Sequence, residues 1–214
     1  MEEDLTRAER KRERTRAEIL AAAREELRRN GLDRSTLTAV ADAVGLTKPA
    51  LYYYFSSREA LVFEVLLDGW TGVAQAVADA VEATTTGEQA LHAIAITYLQ
   101  YFASDLSLFA LVHHGMQHLD VDKMIGPDEI ARIRPLNDLL LGGAEARLRA
   151  DIEAGRSDPV DDPRRLAFVA MSAAIGLLTM KSMVEPAGDP LRHTDTQFLD
   201  TLGAVLRAAT ARST

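Results

Sequence analysis

The chain has 214 residues, a formal net charge of −8 and no cysteine, and 47% of its residues are hydrophobic. This composition is typical of a globular protein of a reducing compartment and excludes disulfides and thiolate zinc sites. No uninterrupted apolar run approaches the roughly 18 residues that cross a bilayer, and no apolar segment follows the charged N-terminus, so we expect a cytoplasmic protein without a membrane partner.

The acidic charge is unevenly distributed along the chain. Residues 1–66 contain 12 basic and 12 acidic residues, so residues 67–214 carry the whole net charge of −8. A neutral N-terminal part with local basic clusters permits DNA binding without requiring it. Residues 1–14 are nearly free of apolar side chains, and two interpretations stay open: a solvated, frayed extension, or a basic arm that contacts the minor groove or flanking phosphates of DNA.

The first predicted helix follows this extension. Thr15 and Glu18 form a capping box, in which two side chains satisfy free amides at a helix start. An apolar stripe at helical spacing follows, formed by Ile19, Leu20, Ala23 and Leu27. Gly31 is expected to end this helix, which would pack across the two shorter helices that come next.

Residues 35–61 predict two short helices joined by a tight turn. Ser35 or Thr36 is positioned to cap the first of them, and Gly45 ends it where a residue without a β-carbon adopts a left-handed conformation. Thr47 is a suitable cap for the second, and Pro49 falls in its first turn, where a missing amide hydrogen costs nothing. The arrangement is typical both of a helix-turn-helix that enters a DNA major groove and of an ordinary αα-hairpin.

Consecutive tyrosines on the second of these helices favour the DNA-binding interpretation. At about 100° per residue, Leu51 and Phe55 lie on one side of the helix and point inward. The side chains of Tyr52–Tyr54 point in different directions, so at least one hydroxyl must face solvent or a partner. Lys48 adds a cation at the exposed start of the helix.

The segment STLTAVADAVGLTKPALYYYFSSREAL, residues 35–61, resembles the helix-turn-helix signature of the tetracycline-repressor (TetR) family. The resemblance covers about residues 15–66 and includes the LYYYF run and the basic residue three positions after its phenylalanine. It implies base-edge contacts by Lys48, Pro49 and Ala50, and phosphate contacts by Thr47, Tyr53, Tyr54 and Arg58. The complete set predicted to bind DNA is Thr36, Thr38, Thr47, Lys48, Pro49, Ala50, Tyr52, Tyr53, Tyr54 and Arg58.

Two positions depart from the family pattern. The family often has Gly or Ala where Pro49 stands, and frequently His where Tyr54 stands. Because Pro49 cannot donate an amide hydrogen, base reading is expected to depend more on Lys48 and on apolar contacts with thymine methyl groups.

Six further helices are predicted, the first running from Arg58 to about Ala83 without a flexible linker. Helix starts follow at Thr86, Asp105, Pro127, Pro163 and Thr194. The predicted fold is all-α. It has an N-terminal extension (residues 1–14), a three-helix helix-turn-helix DNA-binding head (15–61) and a six-helix ligand-binding and dimerisation domain (62–214), the layout that the TetR resemblance implies.

The resemblance also implies a small-molecule cavity among the later helices, without identifying its residues. Apolar, adaptable side chains with a few polar groups suit such a lining. The candidates are Trp70, Tyr98, Phe102, Phe109, His113, Met116, Met171 and Met180. Each has a competing interpretation as an ordinary core residue, because large apolar side chains are usually buried.

One cluster of histidines suggests chemistry: His113, His114 and His118, followed by Asp120 and Asp122. A spacing of four residues places His114 and His118 on one helix face, which suits a metal, but no HExxH pattern supports it and pocket-lining or helix-ending roles are favoured. No nucleotide-binding glycine motif or nucleophile elbow occurs. We therefore predict no metal, no cofactor and no enzymatic activity.

The last two helices carry broad apolar faces. On the first of them an apolar stripe rich in alanine includes Val169, Ala170, Leu177 and Met180, and on the second a stripe runs from Phe198 to Ala209. Such faces are buried either within one chain or against a second copy, and the TetR resemblance implies a homodimer formed by a four-helix bundle. A twofold dimer also reads two half-sites, whereas one short helix reads too few base pairs.

The expected function is therefore sequence-specific transcriptional regulation. We expect a repressor that a small-molecule effector releases from a palindromic, double-stranded DNA operator. The alternative is an effector-independent architectural or division factor of the same fold.

Overall fold

The structure is a computed structural model that describes residues 6–118, 126–184 and 194–211, apart from the side chains of Asp33 and of residues 114–118. Within these ranges the chain forms nine α-helices and no strand, which confirms the predicted all-α fold. The helices are α1 (Arg7–Arg34), α2 (Leu37–Ala43), α3 (Lys48–Tyr52), α4 (Arg58–Glu82), α5 (Gly87–Ala103), α6 (Leu106–His118), α7 (Pro127–Glu153), α8 (Pro163–Val184) and α9 (Asp195–Thr210).

The chain divides into two compact units. The head comprises Met1–Gly69 with Leu111–Gly126, and the body comprises Trp70–Ala110 with Pro127–Thr214. The predicted domain limits at residues 14 and 61 stay predictions.

Helices α1 to α3 and the first turns of α4 build the core of the head. The residues that form it are buried and follow the helical spacing of the sequence. They are Ile19, Ala23, Leu27, Leu37, Val40, Ala41, Leu51, Phe55, Leu61, Val62 and Val65. Because the sequence places them on one side of each helix, the opposite sides stay available to solvent.

Helix α1 begins nine residues earlier than the sequence predicted. Thr6, and not Thr15, is the N-cap: its hydroxyl accepts a hydrogen bond from the Glu9 amide, and the Glu9 carboxylate accepts one from the Thr6 amide. Glu18, the expected capping partner of Thr15, instead lies 3.5 Å from the guanidinium of Arg14. Arginine, glutamate and alanine are good helix formers, so the apolar periodicity alone underestimates this helix.

Gly31 breaks α1 as predicted, with a φ of 70°. Two side chains satisfy carbonyls around this break. The Ser35 hydroxyl donates to the Gly31 carbonyl at 2.5 Å, and the Arg58 guanidinium donates to the Leu32 carbonyl. The break therefore ties the end of α1 to the start of α4 inside the head.

In the body, α5 is the central helix and packs against α7, α8 and α9. Its buried residues, among them Leu91, Ile94 and Phe102, have almost no exposed surface. The α4–α5 connection is fixed by α7: Arg147 donates to the carbonyls of Glu82 and Thr84, each at 3.0 Å.

Asp151 is a buried carboxylate that caps the start of α5. One oxygen accepts a hydrogen bond from the Gly87 amide at 2.7 Å, and the other accepts from the Arg156 guanidinium at 2.6 Å. A free amide at a helix start and a buried charge are thereby satisfied together.

Two helices, α4 and α8, are long and apolar enough to cross a bilayer by length and composition, and the bent pair of α5 with the first turns of α6 also passes that test. The expectation of a protein without a membrane partner, which was drawn from the lack of a long uninterrupted apolar run, is therefore not supported by helix length and composition alone. Half of the most apolar window of α4 is buried inside the protein, but only a third of that of α8.

The exposed apolar surface of α8 lies on one side of that helix. Its members are Phe168, Val169, Met180 and Met183, to which α9 adds Val205. This corrects part of the predicted stripe, because Ala170 and Leu177 are buried within the body and Val169 and Met180 are not.

The Asp151 cap generates a stability prediction. We expect Asp151→Asn to lower the free energy of unfolding by about 1.5–3 kcal/mol, because hydrogen bonds to a buried charge are lost. Asp161→Asn is the matched control, since Asp161 is largely exposed and pairs with Arg165 at the surface; it should change stability by less than about 0.5 kcal/mol. Urea unfolding followed by circular dichroism measures both, and equal effects would contradict the capping role.

Candidate nucleic-acid interface

A glycine turn sets the direction of α3. Gly45 has a φ of 67°, and its amide donates to the Asp42 carbonyl at 3.2 Å, while the Leu46 amide donates to the Ala41 carbonyl at 2.9 Å. These bonds satisfy the last carbonyls of α2. The left-handed conformation predicted at Gly45 is therefore present.

The caps predicted for α2 and α3 are also present. The Thr36 hydroxyl accepts from the Ala39 amide at 3.1 Å, and the Thr47 hydroxyl accepts from the Ala50 amide at 3.3 Å. Pro49 lies in the first turn of α3, as the sequence predicted.

Helix α3 is shorter than the sequence predicted. It ends at Tyr52, so Tyr53 and Tyr54 lie in the turn that follows, where the Tyr54 amide donates to the Leu51 carbonyl at 2.9 Å. Leu51 and Phe55 are both buried, as expected for the inward side. Burial of a residue on each side of the tyrosines holds this segment against the head.

The tyrosines and the first residues of α3 face outward. Tyr53 is 69% exposed and Tyr52 is 44% exposed, while Tyr54 is half-buried and meets the Tyr53 ring edge-on at 5.3 Å between centroids. The remaining predicted residues that are exposed are Thr36, Thr38, Thr47, Lys48 and Pro49. Ala50 is half-buried. Contact of any of these residues with DNA stays a prediction.

Arg58 differs from the other predicted DNA-binding residues. Its side chain is half-buried, and its guanidinium donates to the Leu32 carbonyl at the break of α1. The structure thus gives Arg58 a role within the head that the sequence did not reveal.

Two arginines of α1 that the sequence analysis did not assign to the site pack against its aromatic residues. The guanidinium of Arg12 lies 5.4 Å from the centroid of the Tyr53 ring, and that of Arg16 lies 5.0 Å from the centroid of Phe55. Arg16 also donates to Glu64 of α4 at 2.6 Å. No local pattern signals these contacts, because the partners are about 40 to 50 residues apart in the chain.

The predicted ligand-binding residues of the body are largely packed together. Tyr98, Phe102 and Phe109 are buried, with ring centroids 5.5 Å apart for the first two and 5.6 Å apart for the last two. Burial raises the pKa of the Tyr98 hydroxyl well above its ordinary value. These rings form an apolar interior, and their contact with a ligand stays a prediction.

The other candidates are distributed more widely. Met171 is buried, Trp70 and His113 are half-buried, and Met180 is half exposed on the outer side of α8, away from the buried rings. The side chain of Met116 lies outside the described residues.

Most of the histidine cluster also falls outside the described part of the chain. The side chains of His114 and His118 are not described, nor are Asp120 and Asp122. Among the residues that are described, no three His, Asp or Glu side chains come together in a way that could hold a metal ion. The predicted absence of a metal stays a prediction.

Comparison with known proteins places a family match on the head. Residues 19–65 match the family described as bacterial regulatory proteins, tetR family. The HTH-type transcriptional activator FasR of Mycolicibacterium smegmatis is 29% identical over 101 residues, which cover 47% of this chain and 46% of FasR. The match thus spans about half the length of that relative.

Solved structures match nearly the whole chain. A TetR transcription regulator from Haloarcula marismortui has a TM-score of 0.69 at 19% identity, with 94% of this chain and 100% of that chain covered. The regulator FadR from Bacillus subtilis, in complex with stearoyl-CoA, has a TM-score of 0.65 at 15% identity, with 91% and 97% covered. At these identities the likeness establishes the fold of head and body.

The turn before α3 generates a second prediction. Gly45→Ala should destabilise the protein by about 1 kcal/mol, because a β-carbon there meets no neighbouring atom and the cost is that of the left-handed backbone alone. Gly142→Ala is the matched control: it also meets no neighbour but lies within helix α7, so it should stabilise by about 0.5–1 kcal/mol. Urea midpoints that shift in the same direction for both variants would contradict this account of the turn.

Proposed function

We propose that this chain, whose residues 19–65 match the tetR family of bacterial regulatory proteins, is a sequence-specific DNA-binding transcription regulator, a repressor that a small-molecule effector releases from its operator. The observation that carries the proposal is the outward-facing α3 segment, held by buried Leu51 and Phe55 with Tyr53 mostly exposed between them. Tyr52 beside it is also exposed, and tyrosine hydroxyls are among the groups that contact DNA phosphates.

On this proposal α3 enters the major groove with its first turn. Lys48 donates to guanine edges, and Pro49 and Ala50 contact thymine methyl groups, since neither side chain carries a hydrogen-bonding group. Thr47, Tyr53 and Tyr54 donate hydroxyls to phosphates and fix the register of the head. Thr36, Thr38 and Tyr52 flank this surface.

We propose that the protein acts as a homodimer through α8 and α9. The exposed apolar side chains of the body concentrate there, with Phe168, Met183 and Val205 each more than half exposed. An apolar patch of this kind on a body that carries the acidic net charge favours a second copy over solvent. A twofold pair would present two α3 segments to half-sites about 34–36 Å apart.

The effector is proposed to bind in the body. It must bind the DNA-incompetent state more tightly than the DNA-bound state, since equal affinities would shift nothing. The apolar interior around Tyr98, Phe102 and Phe109 suits an apolar ligand, and FadR, a protein of similar fold, was solved with stearoyl-CoA. Stearoyl-CoA is therefore the first ligand to test.

A cytoplasmic location without a membrane partner belongs to this proposal. Most apolar side chains of α4 are buried in the protein, and α8 carries Arg164 and Lys181 in ion pairs with Asp138 and Asp195. These pairs tie both ends of α8 to neighbouring parts of the body. The exposed stripe of α8 is accordingly assigned to dimerisation.

Two other functions remain as alternatives. An effector-independent architectural or division factor would bind DNA with an affinity that no metabolite changes, whereas the regulator requires at least one ligand that lowers it. FasR, the partial relative, is named an activator, so a reporter assay must establish the sign of regulation. Similar proteins of this family are regulators and not enzymes, and enzymatic activity forms no part of the proposal.

The DNA-binding assignment predicts distinct effects for Tyr53 and Lys48. Each alanine substitution should cost about 1–3 kcal/mol of binding free energy to a duplex selected by the wild type from a random library. Tyr53→Ala should weaken all sequences alike, while Lys48→Ala should relax the preference between sequences. Arg149→Ala, an exposed arginine of the body, is the control and should leave binding unchanged. Fluorescence anisotropy measures these affinities, and unchanged binding in both test variants would refute the site.

The dimer proposal predicts that Val205→Glu dissociates the pair, because a charge would be buried in an apolar interface. At micromolar concentration the wild type should sediment at twice the chain mass of 23.4 kDa, and the variant at the mass of one chain. Ile130→Glu is the matched control, since Ile130 is a comparably exposed apolar residue on α7. Dissociation by both variants, or by neither, would refute the assignment of the interface to α8 and α9.

A further inference from the structure

Tyr53 is the most exposed of the three consecutive tyrosines, and yet its ring has two aromatic or cationic neighbours. The Tyr54 ring meets it edge-on, with 5.3 Å between the centroids, and the Arg12 guanidinium of α1 lies 5.4 Å from its centroid. Both are contacts of the ring, so the phenolic hydroxyl stays available to a partner. The Tyr53 side chain is thus held at its ring while its polar end points to solvent.

The contact between Arg12 and Tyr53 is the outer of two successive contacts along α1. Arg12 and Arg16 lie one turn apart on the same side of that helix. The first packs on the Tyr53 ring and the second on the Phe55 ring. The inner contact is anchored, because Phe55 is buried and Arg16 donates to Glu64 of α4 at 2.6 Å. The helix then carries Arg12 to the Tyr53 ring, about 6 Å farther along its axis.

An ordered side chain at this position has a consequence for binding. A surface tyrosine without neighbours samples several staggered rotamers, and fixing one of them in a complex costs conformational entropy. A guanidinium is suited to reduce that cost, because it is planar, weakly hydrated and stacks on an aromatic face. Contact with Arg12 therefore restricts Tyr53 before any partner arrives.

We propose that Arg12 is a positioning residue of the DNA interface, which orders the Tyr53 side chain so that its hydroxyl reaches a phosphate at a smaller entropic cost. This inference rests on the proposed function and assigns to Arg12 a role exerted through Tyr53, without a DNA contact of its own. Direct binding of a phosphate by Arg12 is the competing account. The two accounts differ in what Arg12 contributes once the Tyr53 hydroxyl is removed.

The test is a double-mutant cycle in the full chain. Arg12→Gln removes the guanidinium while keeping a good helix former, and Tyr53→Phe removes the hydroxyl while keeping the ring. The probe is the duplex that the wild type selects from a random library, and fluorescence anisotropy measures its affinity at several salt concentrations. Lys11→Gln, made with and without Tyr53→Phe, is the matched control, since it removes an exposed cation from the neighbouring position of α1.

We expect Arg12→Gln to weaken binding about 2- to 5-fold for each head when Tyr53 is present. With Tyr53→Phe, which should itself weaken binding, the same change should cost less than about 1.5-fold, because an ordered ring without a hydroxyl gains no hydrogen bond to a phosphate. The slope of log affinity against log salt should change by less than about 0.5 per head, whereas loss of a phosphate contact changes it by about 1. Lys11→Gln should have equal effects in both backgrounds. Circular dichroism should show wild-type helix content in every variant.

An equal loss from Arg12→Gln in both backgrounds would overturn the inference, and a salt slope reduced by about 1 per head would then assign a phosphate to Arg12 itself. No loss in either background would overturn it as well. Both results leave the proposed function standing, provided that Tyr53→Phe weakens binding. If Tyr53→Phe binds as tightly as the wild type, the inference fails together with the phosphate contact proposed for Tyr53. A wild type that binds no duplex would overturn the proposed function too.

Discussion

Burial of Leu51 and Phe55 is the constraint on which the candidate interface depends. Helix α3 has only five residues, far below the length at which an isolated helix is stable in water. Its conformation is therefore imposed by the two side chains that the head buries, one within the helix and one just after it. Once these are fixed, the three tyrosines that lie between them must occupy the remaining directions, and Tyr53 is left outside. The exposure of the interface is a geometric consequence of the anchoring, and the Thr47 cap and the Gly45 turn only set where it begins.

Local sequence predicted most of the helices because their limits depend on local chemistry. Thr36, Thr47 and Thr194 each accept a hydrogen bond from the amide three residues later, so a cap visible in the sequence became a helix start. The start of α1 was missed because Arg7–Arg14 has no apolar periodicity, and helix propensity together with the Thr6 cap decided the outcome. The end of α3 was missed for the opposite reason: Tyr53 and Tyr54 fit a helical pattern, but the turn that precedes α4 takes them out of it.

The contacts that assemble the site could not be predicted from the sequence, because they join residues that are far apart along the chain. Arg16 and Glu64 are 48 positions apart, and nothing in either neighbourhood specifies the other. Arg58 is a second example. Its place in the family motif predicted a contact with a DNA phosphate, whereas in the structure its guanidinium donates a hydrogen bond to the Leu32 carbonyl. The sides of α8 could be predicted as apolar, but which residues the body buries, Ala170 and Leu177 among them, depended on its packing with α5, α7 and α9. Periodicity identifies a side of a helix, and only the tertiary structure shows which neighbour covers it.

Residues 1–66 carry no net charge, yet part of their surface can be positive if acidic side chains elsewhere in the segment are paired with arginines. The pKa of Glu25 is lowered to about 2 by its hydrogen bonds with Arg28 and, to a smaller extent, with Arg29. Glu64 and Asp68 of α4 are paired with Arg16 and Arg24, so a second group of carboxylates is compensated along the α1–α4 contact. An ion pair contributes little to the electrostatic field at a distance, because its two charges cancel. Like charges on one side of a helix reinforce each other. Lys48 is an exposed cation within α3, so the position of charges bears on a nucleic-acid partner as well as their sum.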